Sequence, residues 1–258
     1  MNKKDMQSTV DVNGRGMAVF PKPPKLPIPD AARSIHRHII CRIKDLLAGD
    51  VSSPLDPLFM RGYREVLDLF EKYQREVIRH SGFRLTCSKG CMRCCCHWVE
   101  DVYCFEAEII ADFIRRTAGD RVGEIVEKFR EDIAEMTRLD AIVARKLAEH
   151  AGASGAGDID QVDLLLACFY QMGRPCALLG PDAACGIYPV RPITCRIYVS
   201  FSDPAFCDPD YINIADVRTY LLDFEEEASE LLDRLHLKYD RFGSDTGLRS
   251  VLVKCLTQ

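Results

Sequence analysis

At 258 residues, 47% of them hydrophobic, the chain is long and apolar enough to bury a real core, which excludes a disordered protein. Thirty-four basic against 39 acidic residues give a formal charge of −5, with no block of Lys or Arg long enough to form a phosphate-binding surface. No nucleic acid partner is therefore expected. No apolar run approaches the ~18 residues of a membrane span, and the segment from Met1 to Asp5 lacks the apolar run of a secretory signal, so no membrane association and a cytoplasmic location are expected.

Residues 1–30 read as a disordered, proline-rich tail. Pro21, Pro23, Pro24, Pro27 and Pro29 remove backbone donors and fix φ, so this stretch is an extended linker. A helix is predicted from Asp30 or Ser34 to near Gly49, because Ile35, Ile39, Ile40, Ile43 and Leu47 recur at helical spacing. A second helix is predicted from about Leu58 to Arg79, with Leu67, Phe70, Tyr73, Val77 and Ile78 on one face. Cys41 in the first helix reads as core.

Ser81 and Gly82 end that helix, and the densest chemistry in the chain follows. Cys87, Cys91, Cys94, Cys95 and Cys96 fall within ten residues, and His97 comes next. Thiolates bind zinc, iron and iron–sulfur clusters strongly, and closely spaced cysteines let one loop wrap several sulfurs around one centre. Thirteen cysteines would suggest disulfides in a secreted chain, but the count is odd and no export signal is read. In a reducing compartment such clustering points to metal or redox chemistry.

Further helices are predicted over residues 106–116, over about 121–149 and from a cap at Asp158 or Asp160 through Phe169, where Cys168 lies on the apolar face. The glycine- and alanine-rich stretch 151–157 is a flexible break. Cys176, Cys185, Cys195 and Cys207 then fall in a second loop region. Pro175, Pro181, Pro189 and Pro192, with Gly180 and Gly186, make it a series of turns suited to holding ligands. Tyr188 is expected to anchor one turn in the core. Val217, Tyr220, Leu221, Phe224, Leu231, Leu232 and Leu235 predict a long final helix, with Glu225 to Glu227 as a solvated face. No periodic strands, internal repeat or phosphate-cradling glycine loop is legible. The expected fold is mainly α: a single helical domain over residues 31–258, with irregular cysteine-rich loops and a metal-binding core at 87–208.

The pattern Cys87-x3-Cys91-x2-Cys94-Cys95, then Glu106-Ala107, Cys176-x-Leu178-Leu179, Cys185-x-Ile187-Tyr188-x2-Arg191-Pro192-x2-Cys195-Arg196 and Cys207 resembles the YkgJ-type cysteine-cluster family, described as a zinc- or iron-chelating domain. The resemblance covers about residues 87–208, and the flanking helices are not carried by it. It implies a metal-binding protein, to which the iron–sulfur-associated flagellin lysine N-methylases are related. The chain departs from the simplest pattern by adding Cys96 and His97.

Eight matched cysteines, Cys87, Cys91, Cys94, Cys95, Cys176, Cys185, Cys195 and Cys207, suffice for two four-sulfur sites, or for one cluster plus a smaller site. Neighbours such as Cys94 and Cys95 tend to point different ways and so suit two different metals. Four thiolates on zinc or on a doubly positive iron–sulfur core leave about −2 of net charge, and Arg191 and Arg196 are the expected cations offsetting it. Three classes stay open: a metal-binding protein with zinc or iron held by both loops, an iron–sulfur redox protein, and a protein-modifying enzyme related to the flagellin methylases. About eighty residues of mostly helix separate the two cysteine groups, and these are expected to fold back and bring the groups together.

Overall fold

A computed structural model of the chain describes residues 10–12, 15–17, 26–151, 160–208, 219–243 and 245–258. Most of the predicted proline-rich tail lies outside them. Within it, β1 (Val10–Val12) and β2 (Arg15–Met17) pair antiparallel, with Val10 opposite Met17. Leu26 is buried.

The rest is mainly α. The first predicted helix is α1 (Asp30–Ala48), which buries Ile39, Ile40 and Ile43. The next, α2 (Pro57–Ser81), starts where Asp56 accepts the Leu58 N–H at 2.8 Å, with proline in its first turn. It stops at Gly82, whose φ of 72° is the left-handed conformation that favours glycine. Phe59, Tyr63, Val66, Phe70, Tyr73 and Val77 form its buried face, set against α1 and against α7 (Glu226–Tyr239). Cys41 is exposed on α1, so its expected place in the core is corrected. It falls on the solvent side of the Ile39, Ile40 and Ile43 stripe.

Between these helices, α3 (Cys104–Thr117) has two apolar faces. Phe105 and Ile109 join the core of α1, α2 and α7. Ala107, Ile110, Ala111 and Ile114 join a second core with α4 (Val122–Ala151) and α8 (Leu248–Thr257). A third cluster packs Met136, Leu139 and Val143 of α4 on Leu164, Ala167, Cys168 and Phe169 of α5 (Gln161–Gln171). Asp160 caps α5, its carboxylate accepting the Val162 and Asp163 N–H groups at 2.8 and 3.0 Å.

The predicted final helix is split. Thr219–Leu221 forms β4, which pairs antiparallel with β3 (Tyr198–Ser200), Tyr198 opposite Leu221, and α7 begins only at Glu226. A tertiary partner overrides the helical spacing. The rings of Phe201 and Tyr220 meet at 5.3 Å beside Phe83, as β-forming residues pack on a pleated surface. Val217 lies outside the described residues. A short helix, α6 (Thr194–Ile197), leads into β3, and α8 is a helix that the sequence reading did not identify.

Buried His36 ties α1 to the start of α7. Its Nε2 accepts the Glu225 N–H at 3.0 Å, and burial lowers its pKa below the usual 6.5. The unfolded chain takes up this proton near pH 6.5 and the folded chain only at lower pH. The resulting stability is full above pH 6.5 and is lost as pH falls through the folded value. In His36→Gln, which keeps an acceptor, the acid side of a plot of Tm against pH flattens; an unchanged slope contradicts this assignment.

Candidate metal centre

The first cysteine loop is fixed at its entry. The Thr86 N–H and hydroxyl both donate to the Ser200 carbonyl at 3.0 Å, which sets Cys87 beside β3, and the Ser200 N–H donates to the Cys87 sulfur at 3.3 Å. Gly90 turns the chain at φ 84°, beside the Asp182 carbonyl of the second loop. A 3-10 turn over Arg93–Cys96 then presents three successive cysteines. The Cys176 N–H donates to the Cys95 carbonyl at 3.0 Å and stitches the two loops together.

The second loop is held by tight backbone turns. The Gly186 N–H donates to the Leu178 carbonyl at 2.8 Å, and a Cβ at residue 186 would come within 2.9 Å of that oxygen. Only glycine fits this approach. Buried Glu106 of α3 accepts the Ile193 N–H at 2.9 Å and the Tyr63 hydroxyl, and burial raises its pKa to about 7. Gln74 of α2 donates to the Arg196 and Leu222 carbonyls, both at 2.9 Å. Polar side chains buried on helices thus hold a loop that has little apolar surface of its own.

The two loops share a cavity of about 240 Å³. Its walls carry Cys94 and Cys95 from the first loop, Cys176, Cys185 and Cys195 from the second, and Arg249 from α8, with Trp98, Leu178, Ile187 and Leu248 between them. The other three matched cysteines do not line it. The charges felt by Cys87 come from Cys94, Cys207 and Cys91, and those felt by Cys207 include Cys91 and Cys94. Cys95 instead feels Cys94, Cys176 and Cys185, and Cys195 feels Cys176, Cys94 and Cys185. Cys94 borders both groups.

Burial raises the thiol pKa of Cys87, Cys176, Cys185, Cys195 and Cys207, and neighbouring thiolates raise each of them further. Cys94 goes the other way, because the Cys95 thiol donates to its sulfur and Arg191 lies near; Cys95 is pushed up in return. Backbone N–H groups of Leu178 and Ile187 stabilise the Cys176 and Cys185 thiolates. So many sulfurs ionise together only when a cation offsets their charge. None of the 13 cysteines is joined in a disulfide.

Of the two expected arginines, Arg191 lines the cavity, with its guanidinium 4.3 Å from the centre of the Tyr188 ring. The buried Arg196 donates to Glu71 at 2.6 Å and to the carbonyls of Tyr188, Pro189 and Arg191, so its guanidinium braces the loop. Tyr188 is 53% exposed, which corrects its expected role as a core anchor: it stacks with Arg191 at the surface. Arg93 pairs with Asp208, and the half-buried His97 stacks on Tyr170 at 3.7 Å.

The sequence reading missed Arg249. Only 1% exposed, it bonds Asp132 of α4 at 2.8 Å and the His97 carbonyl at 3.2 Å, and it lies over the Trp98 and Phe169 rings. Its Nη2 and the Arg191 Nε are buried with no acceptor among the described residues. The 3-4 spacing of Leu248, Val251, Leu252 and Cys255 was the available signal for the helix that carries it.

A separate Cys/His/Asp group, Cys104, His236 and Asp240, places its donor atoms within 4.8 Å of one another, the one such group of three among the described residues. No three of the eight loop sulfurs lie that close to one another. No helix among the described residues is long and apolar enough to cross a membrane. No family model, curated protein or solved structure matches this chain.

Proposed function

We propose that this chain is a metal-binding protein of the kind its YkgJ-type motif pattern implies, with metal held jointly by the two cysteine loops. Cys95, Cys176, Cys185 and Cys195 form an inner set around the cavity, and Cys87, Cys91, Cys94 and Cys207 form an outer set. The observation that carries the reading is the cavity itself, walled by sulfurs from loops about eighty residues apart in sequence.

For the inner set the spacing favours an iron–sulfur cluster over a single zinc ion. Tetrahedral zinc, with Zn–S bonds of about 2.3 Å, draws its sulfurs to about 3.8 Å from one another. No three of the loop sulfurs lie within 4.8 Å of one another, and those of the inner set border a cavity. A cluster fills such a space with iron and sulfide, and bonds from the Arg249 Nη2 and Arg191 Nε would find acceptors there. When bound, such a cluster exchanges single electrons, with its potential set by burial and by hydrogen bonds to sulfur. This chain's own contribution is the Leu178 and Ile187 N–H groups aimed at sulfurs, the buried guanidinium of Arg249 and the apolar walls.

Single cysteine variants test the partition. Cys95→Ser is expected to lose the inner centre and its visible absorption while retaining the outer metal, and Cys91→Ser to do the reverse. Unchanged metal content in both variants overturns the ligand assignment, and complete loss in both replaces two sets by one shared centre.

A further inference from the structure

The start of α3 meets the end of α7 away from the sulfur-lined cavity. We propose that Cys104, His236 and Asp240 form a separate zinc site there, with a fourth position open to water. The inference does not depend on what the cysteine loops hold.

Thiolate, imidazole and carboxylate are the three ligand types that zinc takes from proteins, and three of them with one open position is a recurring arrangement. Bonds of about 2.0 to 2.3 Å place tetrahedral ligand atoms roughly 3.3 to 3.8 Å apart. From within 4.8 Å, side-chain rotation closes the difference. The donors are also well held. His236 and Asp240 are one helical turn apart at the end of α7, and Cys104 opens α3. The His236 Nδ1 accepts the Cys104 N–H at 3.0 Å, which holds the ring beside residue 104; an ion taken at Nδ1 displaces this bond. The Cys104 thiol donates to the His236 carbonyl at 3.1 Å.

The charges balance. A cysteine thiolate and the Asp240 carboxylate together cancel a divalent ion, so no net charge is buried. Cys104 is 1% exposed and Asp240 is on the surface, which gives the ion a way in from the Asp240 side. One turn along α3, the buried Glu108 Oε1 finds no hydrogen-bond donor among the described residues, although the Arg241 Nε is 3.4 Å away. A metal-bound water is a donor of the kind it lacks. Without a cation, burial and then the Asp240 and Glu108 charges push the Cys104 thiol up to about 12, so the group is not an ionised nucleophile paired with histidine.

The test is an anaerobic Co²⁺ titration of the full chain with its loop metal in place. The expected result is one further Co²⁺ per chain, with a thiolate-to-cobalt charge-transfer band and the visible bands of a tetrahedral ion. Asp240 is exposed, and its carboxylate accepts the Phe242 and Gly243 N–H groups, a role that an Asn side-chain oxygen keeps. Asp240→Asn should therefore fold normally yet bind this ion at least tenfold more weakly. Cys104→Ser should remove the charge-transfer band, and loop metal should be unchanged in both. The proposal is overturned if the native chain takes up no cobalt beyond that in its loops, or if Asp240→Asn binds it with native affinity; the three residues then serve only to join the helix ends.

Discussion

Replacing Cys195 by serine is expected to lower bound metal and thermal stability together, whereas Cys41→Ser changes neither. Cys195 faces the cavity from α6, a four-residue helix held by the bonds of Arg196 and Glu106 to its neighbours. Where loops lack their own core, ligation free energy is folding free energy. Losing one of four sulfurs exceeds the ten- to hundredfold loss typical of a group that merely orients a ligand, which puts the cost at about 3 kcal/mol or more. For a chain of this size that lowers Tm by roughly 6 to 12 °C. Cys41 sits exposed on α1 and contributes to neither cysteine set. Full metal occupancy in Cys195→Ser, read by elemental analysis, contradicts the inner set.

The second large effect is expected at Asp132. Its carboxylate, on a side chain 5% exposed, bonds the Arg174 Nε at 2.6 Å and the Arg249 Nε at 2.8 Å. It thereby joins α4 to α8 and to the strand of loop just before Cys176. Asp132→Ala leaves the guanidinium of Arg249 buried without its counter-charge. Breaking a buried pair from one side costs about 3 to 5 kcal/mol, or roughly 6 to 20 °C in Tm. Replacing Arg249 by methionine as well removes the stranded charge, so the double variant should be more stable than Asp132→Ala alone. A single variant within 0.5 kcal/mol of the native chain, read by denaturant unfolding, contradicts the role of Asp132 as a brace.

The long amphipathic helices were legible because their apolar residues recur at helical spacing, as in α1, α2 and α4. The cysteine groups were legible because sulfur density is visible in any order of reading. What was not legible depends on contacts between distant residues. Tyr220 and Leu221 fit a helical pattern but pair with β3. Arg249 reads as one more surface cation until α8 is packed against α4 and its guanidinium meets Asp132. Cys104 sits near the cysteine loop in sequence, yet its thiol meets His236, which no spacing rule links to it. Arg196 reads as a cation beside sulfur, and its charge does favour the Cys185 thiolate, but its bonds to Glu71 and three carbonyls are visible only in the folded loop.

The most direct measurement is elemental analysis of the anaerobically purified chain, with acid-labile sulfide and a visible spectrum taken on the same sample. The account predicts iron and sulfide in comparable amounts, with broad visible absorption that bleaches on reduction. Zinc alone, in a colourless protein, contradicts the iron–sulfur assignment, and a fully folded chain without metal, with its eight loop thiols reactive, contradicts the joint metal centre itself.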